Sequence, residues 1–220
     1  MGERGPQKQG REMGCMGGED PADYRPGLPA TEPRIPPLTH PSPEVAEILA
    51  KTPGDPGGTP LNIFGTLAHH PRLLKRFNVL GGLFLSRGVL PARERELVIL
   101  RTGWRTNCEY EFGQHVLIGR RAGLTDEEIR RVTDDGAGWP AGDALLIRLS
   151  EEVHETRDVS DELWASLSDR WDTEALLELV ALAGFYGMVA GLLNAARVQR
   201  DPGVPGWPDA STRAGRPPPG

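Results

Sequence analysis

The sequence predicts an all-α fold, on three observations. The apolar residues between about 42 and 200 recur at helical spacing. Prolines and capping residues stand where such stretches begin. No tight turn is flanked by alternating segments of the kind a β-hairpin requires.

The elements follow in order. Pro43 opens the short periodic stretch PEVAEILAK, which stops before the turn signals of PGDPGG. PRLLKRFNVLGGLFLS and PARERELVILRTGWR each carry a proline, Pro71 and Pro91, in the first turn, where its missing N–H costs nothing. EYEFGQHVLIGRRAG ends at Gly123, suited to a C-terminal cap. Thr125 and Glu128 in TDEE form a capping box that opens a short helix. PAGDALLIRLSEEVHE and SDELWASLSDR come next. DTEALLELVALAGFYGMVAGLLNAARV is apolar on most sides, as a buried central helix is.

The 220 residues carry 28 Gly and 21 Pro, concentrated toward the two ends. Residues 1–41 and 201–220 therefore read as a disordered Pro/Gly-rich leader and tail around one domain, 42–200. The net charge of −6 and the lack of a basic stripe argue against nucleic acid. No uninterrupted apolar run of about 18 residues is visible, so no membrane span is expected. The N-terminus lacks the apolar core of a secretory signal and, with Pro6, the hydroxyl residue that myristoylation wants. Two cysteines, Cys15 and Cys108, make no disulfide framework and suit a reducing, cytoplasmic setting.

The stretch RTNCEYEFGQHV holds the chemistry. On a helix, Cys108, Glu111 and His115 fall within a sector of about 60°. Gly119 continues that stripe and leaves room for a neighbouring segment or a ligand. Glu96 has Ile99 and Leu100 one turn on, a setting that raises a carboxyl pKa and suits a proton carrier. Each residue also has an ordinary reading. Glu96 sits in RERE, a charge run of the kind a solvated helix face carries. Glu111 and His115 at i, i+4 match a surface pair. Cys108 can be an inert thiol, although a helix N-terminus depresses a thiol pKa. His69 and His70 precede a proline in a loop, and His154 in EEVHETRD reads as exposed. Only Glu111 and His115 show ligand spacing, which is too few for a metal site.

LPARERELVILRTGWRTNCEYEFGQHVLIGRRAGLTDEEI, with ELVALAGFYGMVAGLLNAARV, resembles the carboxymuconolactone decarboxylase family, which includes the AhpD-like alkylhydroperoxidases. The likeness spans about 60–200. The family pattern sets a Glu twelve residues before CxxC and a His four after its second Cys; Glu96, Cys108 and His115 keep these spacings, and Glu111 replaces the second cysteine. The resemblance implies an AhpD-like helical bundle, a homotrimer or hexamer, and no cofactor or metal. A carboxylate cannot resolve a disulfide, so two-thiol peroxide reduction is not expected of this motif. The remaining set implies a cofactor-independent decarboxylase or related lyase acting on a carboxylated lactone or similar small acid. In that reading His115 is the general acid, Glu111 orients or shuttles, Glu96 completes the relay, and Cys108 is a leftover thiol. Arg101 or Arg105 holds the substrate carboxylate. Two alternatives stand beside it: an AhpD-like thiol peroxidase, and a non-catalytic accessory protein of a biosynthetic pathway.

Overall fold

Proline and polar caps start most of the helices. Pro43 follows the N-cap Ser42 in α1 (Pro43–Leu49), and Pro71 follows His70 in α3 (Pro71–Ser86). Between them lies α2 (Asn62–Leu67). Pro91 is itself the N-cap of α4 (Ala92–Arg105), one position earlier than the sequence suggests. The capping box of Thr125 and Glu128 opens α6 (Asp126–Arg131), with both reciprocal hydrogen bonds made. The computed structural model describes residues 32–55, 57–134 and 138–208. Its remaining helices are α5 (Glu109–Arg121), α7 (Ala141–Thr156), α8 (Asp161–Ser168) and α9 (Thr173–Ala196). No strand occurs among the described residues, and the fold is all-α as expected.

The core is built around α4, which packs against α5, α7 and α9. Leu97, Val98, Ile99 and Leu100 are all fully buried, so the helix is covered on every side. Each such aliphatic side chain contributes roughly 1.5–3 kcal/mol on leaving water. The expected central helix, α9, packs against α4, α5, α7 and α8 but keeps one side open, with Leu177 65% and Met188 52% exposed. By length and composition α9 is apolar enough to cross a membrane, which a search for uninterrupted apolar runs passes over; half of that stretch is buried within this domain.

The chain reverses tightly between α4 and α5. Asn107 takes φ +56°, and the Cys108 N–H donates to the Gly103 carbonyl at 2.9 Å. Asparagine tolerates this left-handed conformation better than most residues. α5 then runs back along α4. Gly119 makes the approach close: a Cβ there would lie 3.0 Å from Leu124 Cδ1 and 3.7 Å from Glu96 Cβ. What comes up to this glycine is a chain segment, α4.

The expected boundaries at 41 and 200 are both crossed by packed chain. The N–H groups of Arg34 and Leu38 donate to the carbonyls of Ala196 and Gly65. The Trp207 ring lies 4.8 Å from Phe112 and 5.3 Å from Trp104. Pro205 O passes so near α5 that a Cβ on Gly113 would lie 2.2 Å from it. A Pro/Gly-rich segment needs few anchors when a tryptophan supplies the buried area. Cys15 and the rest of residues 1–31 and 209–220 lie outside the described residues.

Candidate functional site

Glu96 and His115 meet across the α4–α5 hairpin. Glu96 is fully buried and His115 nearly so. His115 Nδ1 lies 2.6 Å from Glu96 Oε2, and Arg95 Nε donates to Glu96 Oε1 at 2.9 Å. Arg95 is anchored in turn by a bond from Nη1 to the Leu85 carbonyl at 3.2 Å. Burial pushes the Glu96 carboxyl up, but the charges and hydrogen bonds of His115 and Arg95 outweigh it and hold the group below the usual carboxylate range. An ionised Glu96 fixes the imidazole with its proton on Nδ1, leaving Nε2 as the working atom. The Tyr186 ring of α9 stands edge-on to the imidazole at 4.9 Å and 88°. Burial, and then the nearby carboxyls, push its phenol well above the usual range, so it stays neutral.

Glu111 is placed differently from the sequence expectation. It lies one turn before His115 but makes no hydrogen bond to it; Glu96 orients the imidazole instead. Both Glu111 oxygens are buried without a hydrogen-bond partner, and the residue is 2% exposed. Burial alone pushes this carboxyl well above its ordinary value. The neutral acid is the form such a setting favours. Cys108, 1% exposed, is the N-cap of α5 and turns no side-chain bond onto the helix.

A cavity of about 390 Å³ opens beside these groups. Glu111, His115 and Tyr186 line it, with Phe77, Phe185 and Leu85 among its apolar walls. Asn78 of α3 adds a polar wall, and its buried Oδ1 has no partner. Glu96 stands behind His115 rather than on the wall. No cluster of three or more His, Cys, Asp or Glu side chains is placed to hold a metal ion among the described residues.

The two arginines expected to hold a substrate do not line this cavity. Arg101 is 2% exposed and turned toward α7: Nε donates to Glu151 Oε1 at 2.6 Å, and Nη1 donates to the carbonyls of Val132 and Asp134. Arg105 pairs with Glu155 of the same helix. One turn apart on α4, both face α7 and cross-link the two helices. Their absence from the cavity wall departs from the expectation of substrate contact. The lone histidines also find local roles. His69 Nε2 is 3.0 Å from the Pro36 carbonyl, and His70 Nδ1 accepts from Leu73 N to cap α3. His154 is half-buried rather than exposed; burial, with Arg105 and Arg157 nearby, lowers its pKa.

Sequence reasoning missed a second network. Asp201 is 8% exposed and accepts from Tyr110 Oη at 2.6 Å, Gln114 Nε2 at 2.7 Å and Asn62 N at 2.8 Å. It ties the segment after α9 to two residues that line the cavity. Tyr110 and Gln114 sit on α5 beside Glu111 and His115, and that proximity was the available signal.

Residues 71–149 match the model of the carboxymuconolactone decarboxylase family, a segment that holds both Glu96 and His115. The match is confined to that segment, which runs from α3 into α7. The helical architecture recurs in solved structures. An alkylhydroperoxidase AhpD core, the uncharacterized peroxidase-related protein from Ralstonia eutropha JMP134, is 22% identical, with a TM-score of 0.62 over 76% of this chain and 93% of that one. The debrominase Bmp8 is 14% identical, with a TM-score of 0.62 over 76% and 92%. An uncharacterized peroxidase-related protein from Silicibacter sp. TM1040 is 14% identical, with a TM-score of 0.61 over 76% and 97%. At these identities the likeness is one of fold. No curated protein matches the chain.

Proposed function

We propose that the cavity is the active site of a cofactor-independent lyase of the carboxymuconolactone decarboxylase type, acting on a carboxylated lactone or a similar small acid. The observation that carries this reading is Glu111: a carboxyl with no partner for either oxygen, in a cavity it shares with a histidine whose far nitrogen is held by a buried carboxylate.

The chemistry needs two services. When the C–CO2 bond breaks, its electron pair moves into the ring and the lactone carbonyl, forming an enolate. A neutral Glu111 donates its proton in a hydrogen bond toward the oxygen where charge develops, in a site with little water to compete. The carbon then takes one proton. His115, as imidazolium, delivers it from Nε2, and ionised Glu96 stabilises that cation through Nδ1. The sum is a carboxylate and a proton converted to CO2 and the protonated lactone. The imidazole regains its proton from water. Cys108 takes no part; with Glu111 at the position three residues on, the motif lacks the resolving sulfur that a two-thiol peroxidase uses.

Incubation with 4-carboxymuconolactone, following CO2 and enol-lactone, tests the reading. Turnover is expected from the wild type, falling about 100-fold or more in His115→Ala. No turnover in the wild type, or turnover indifferent to His115→Ala, overturns it.

A further inference from the structure

With Arg101 and Arg105 engaged on α7, the cavity contains two other cations. Arg87 caps the C-terminus of α3, and Lys51 follows α1; both line the cavity and both are exposed. Neither side chain makes a hydrogen bond or an ion pair among the described residues. Elsewhere on the surface Lys75, Arg93, Arg120, Arg130 and Arg148 have carboxylate partners. Among the lining residues the only carboxyl is Glu111, which burial holds toward its neutral form. The cavity thus has a positive rim on a chain of net charge −6. Focusing of that kind draws anions.

Behind the rim the walls become apolar. Phe77, Phe185 and Leu85 line the interior, and the helical glycines Gly81 and Gly82 of α3 keep it open. A Cβ on Gly82 would meet nothing within 4 Å, so the space beside it is available to a ligand. A volume of about 390 Å³ accepts one small ring with its substituents.

We propose that Arg87 and Lys51 are specificity-determining residues: they select an anionic ring compound, hold a carboxylate at the rim, and let the ring enter toward Glu111 and His115. This rests on the cavity being the active site and assigns the anion-binding role that Arg101 and Arg105 do not fill. A carboxylate at the rim stays partly hydrated and far less costly than one carried inside unpaired. The group held there is one the substrate keeps, while the reacting carbon lies with the buried acid.

Binding of benzoate and of its neutral isostere benzamide, measured by calorimetry on the full chain, tests this without requiring turnover. The wild type should bind benzoate about tenfold more tightly, as two exposed ion pairs allow, with the preference shrinking at high salt. The Arg87→Gln/Lys51→Gln double variant should bind both equally. Gly82→Leu, which fills the space beside α3 while keeping the rim, should weaken both ligands alike and so locate them in this cavity. Equal binding of the two by the wild type, a preference that survives in the double variant, indifference to Gly82→Leu, or binding of neither ligand each overturns the proposal. If the charge preference is present while 4-carboxymuconolactone is not turned over, the anion-selective rim stands and the decarboxylase reading fails.

Discussion

Oε2 of Glu96 lies 2.6 Å from Nδ1 of His115, a contact between α4 and α5 that closes over a fully buried carboxylate. Two side chains 19 positions apart thereby become one proton-handling unit. Removing the charge should damage both stability and function. Glu96→Gln is expected to lose about 3 kcal/mol, because it leaves Arg95 and His115 without their shared anion. Because its pKa is lowered on folding, Glu96 contributes stability fully above its unfolded value, and that contribution is lost as pH falls through the folded one. Denaturation of wild type and variant across pH should therefore show a gap that is widest near neutrality and closes in acid. The catalytic efficiency of the variant should drop about 10- to 100-fold, as when an orienting partner of a working imidazole is removed.

Glu111 has the opposite sign. Its pKa is raised on folding, so its contribution favours the folded state below the unfolded value and is lost as pH rises toward the folded one. Near neutrality the group is a burden on stability. Glu111→Gln, which keeps shape and neutrality, should raise stability at neutral pH by about 1 kcal/mol or more and have little effect in acid. Turnover should fall less than in Glu111→Ala, because the amide still donates a hydrogen bond to the developing oxyanion. A variant less stable than the wild type at neutral pH would show that the carboxylate has a compensating partner.

Arg101 is a structural cross-link. Arg101→Ala leaves Glu151 with Arg105 alone and removes the donor to the carbonyls of Val132 and Asp134, and should lower stability by about 2–3 kcal/mol. The folded fraction should keep its KM. A raised KM with unchanged stability would restore Arg101 to substrate binding.

Asp201 anchors the segment after α9. Asp201→Ala removes the acceptor of Tyr110, Gln114 and the Asn62 N–H, and is expected to cost about 2–4 kcal/mol in chemical denaturation. An indifferent variant would mean that the packing of Trp207 holds the segment alone.

Cys108→Ser should retain decarboxylation. Serine is a strong N-cap residue, so the variant's stability should lie within about 1 kcal/mol of the wild type. Dithiol-dependent peroxide turnover that disappears in Cys108→Ser would instead favour the peroxidase alternative.

Much of the fold was legible because the helix boundaries are written in local chemistry: Pro43, Pro71 and the Thr125–Glu128 box act on their own first turns. The motif spacing also placed Glu96 and His115 correctly on two antiparallel helices, since a short loop leaves little choice. What the sequence hid was rotational. Glu96 belongs to a charge run that looks solvated, yet α4 is covered on all sides and its charges find buried partners. The same covering turns Arg101 toward α7, where sequence proximity to Cys108 suggested substrate contact. Arg87, Tyr186 and Asp201 come from three segments distant in sequence, and only tertiary packing gathers them around one cavity or its supports. The Pro/Gly content near residue 205 disguised an anchored strap, because one tryptophan outweighs several breakers.

The proposed chemistry depends most on a proton that Glu111 keeps. Infrared spectroscopy of the wild type at neutral pH, compared with Glu111→Gln, reads that proton as the carbonyl stretch of a protonated carboxyl. The band is expected in the wild type, absent in the variant, and shifted when substrate enters the cavity. A wild-type spectrum without that band, with Glu111 ionised at neutral pH, would contradict it.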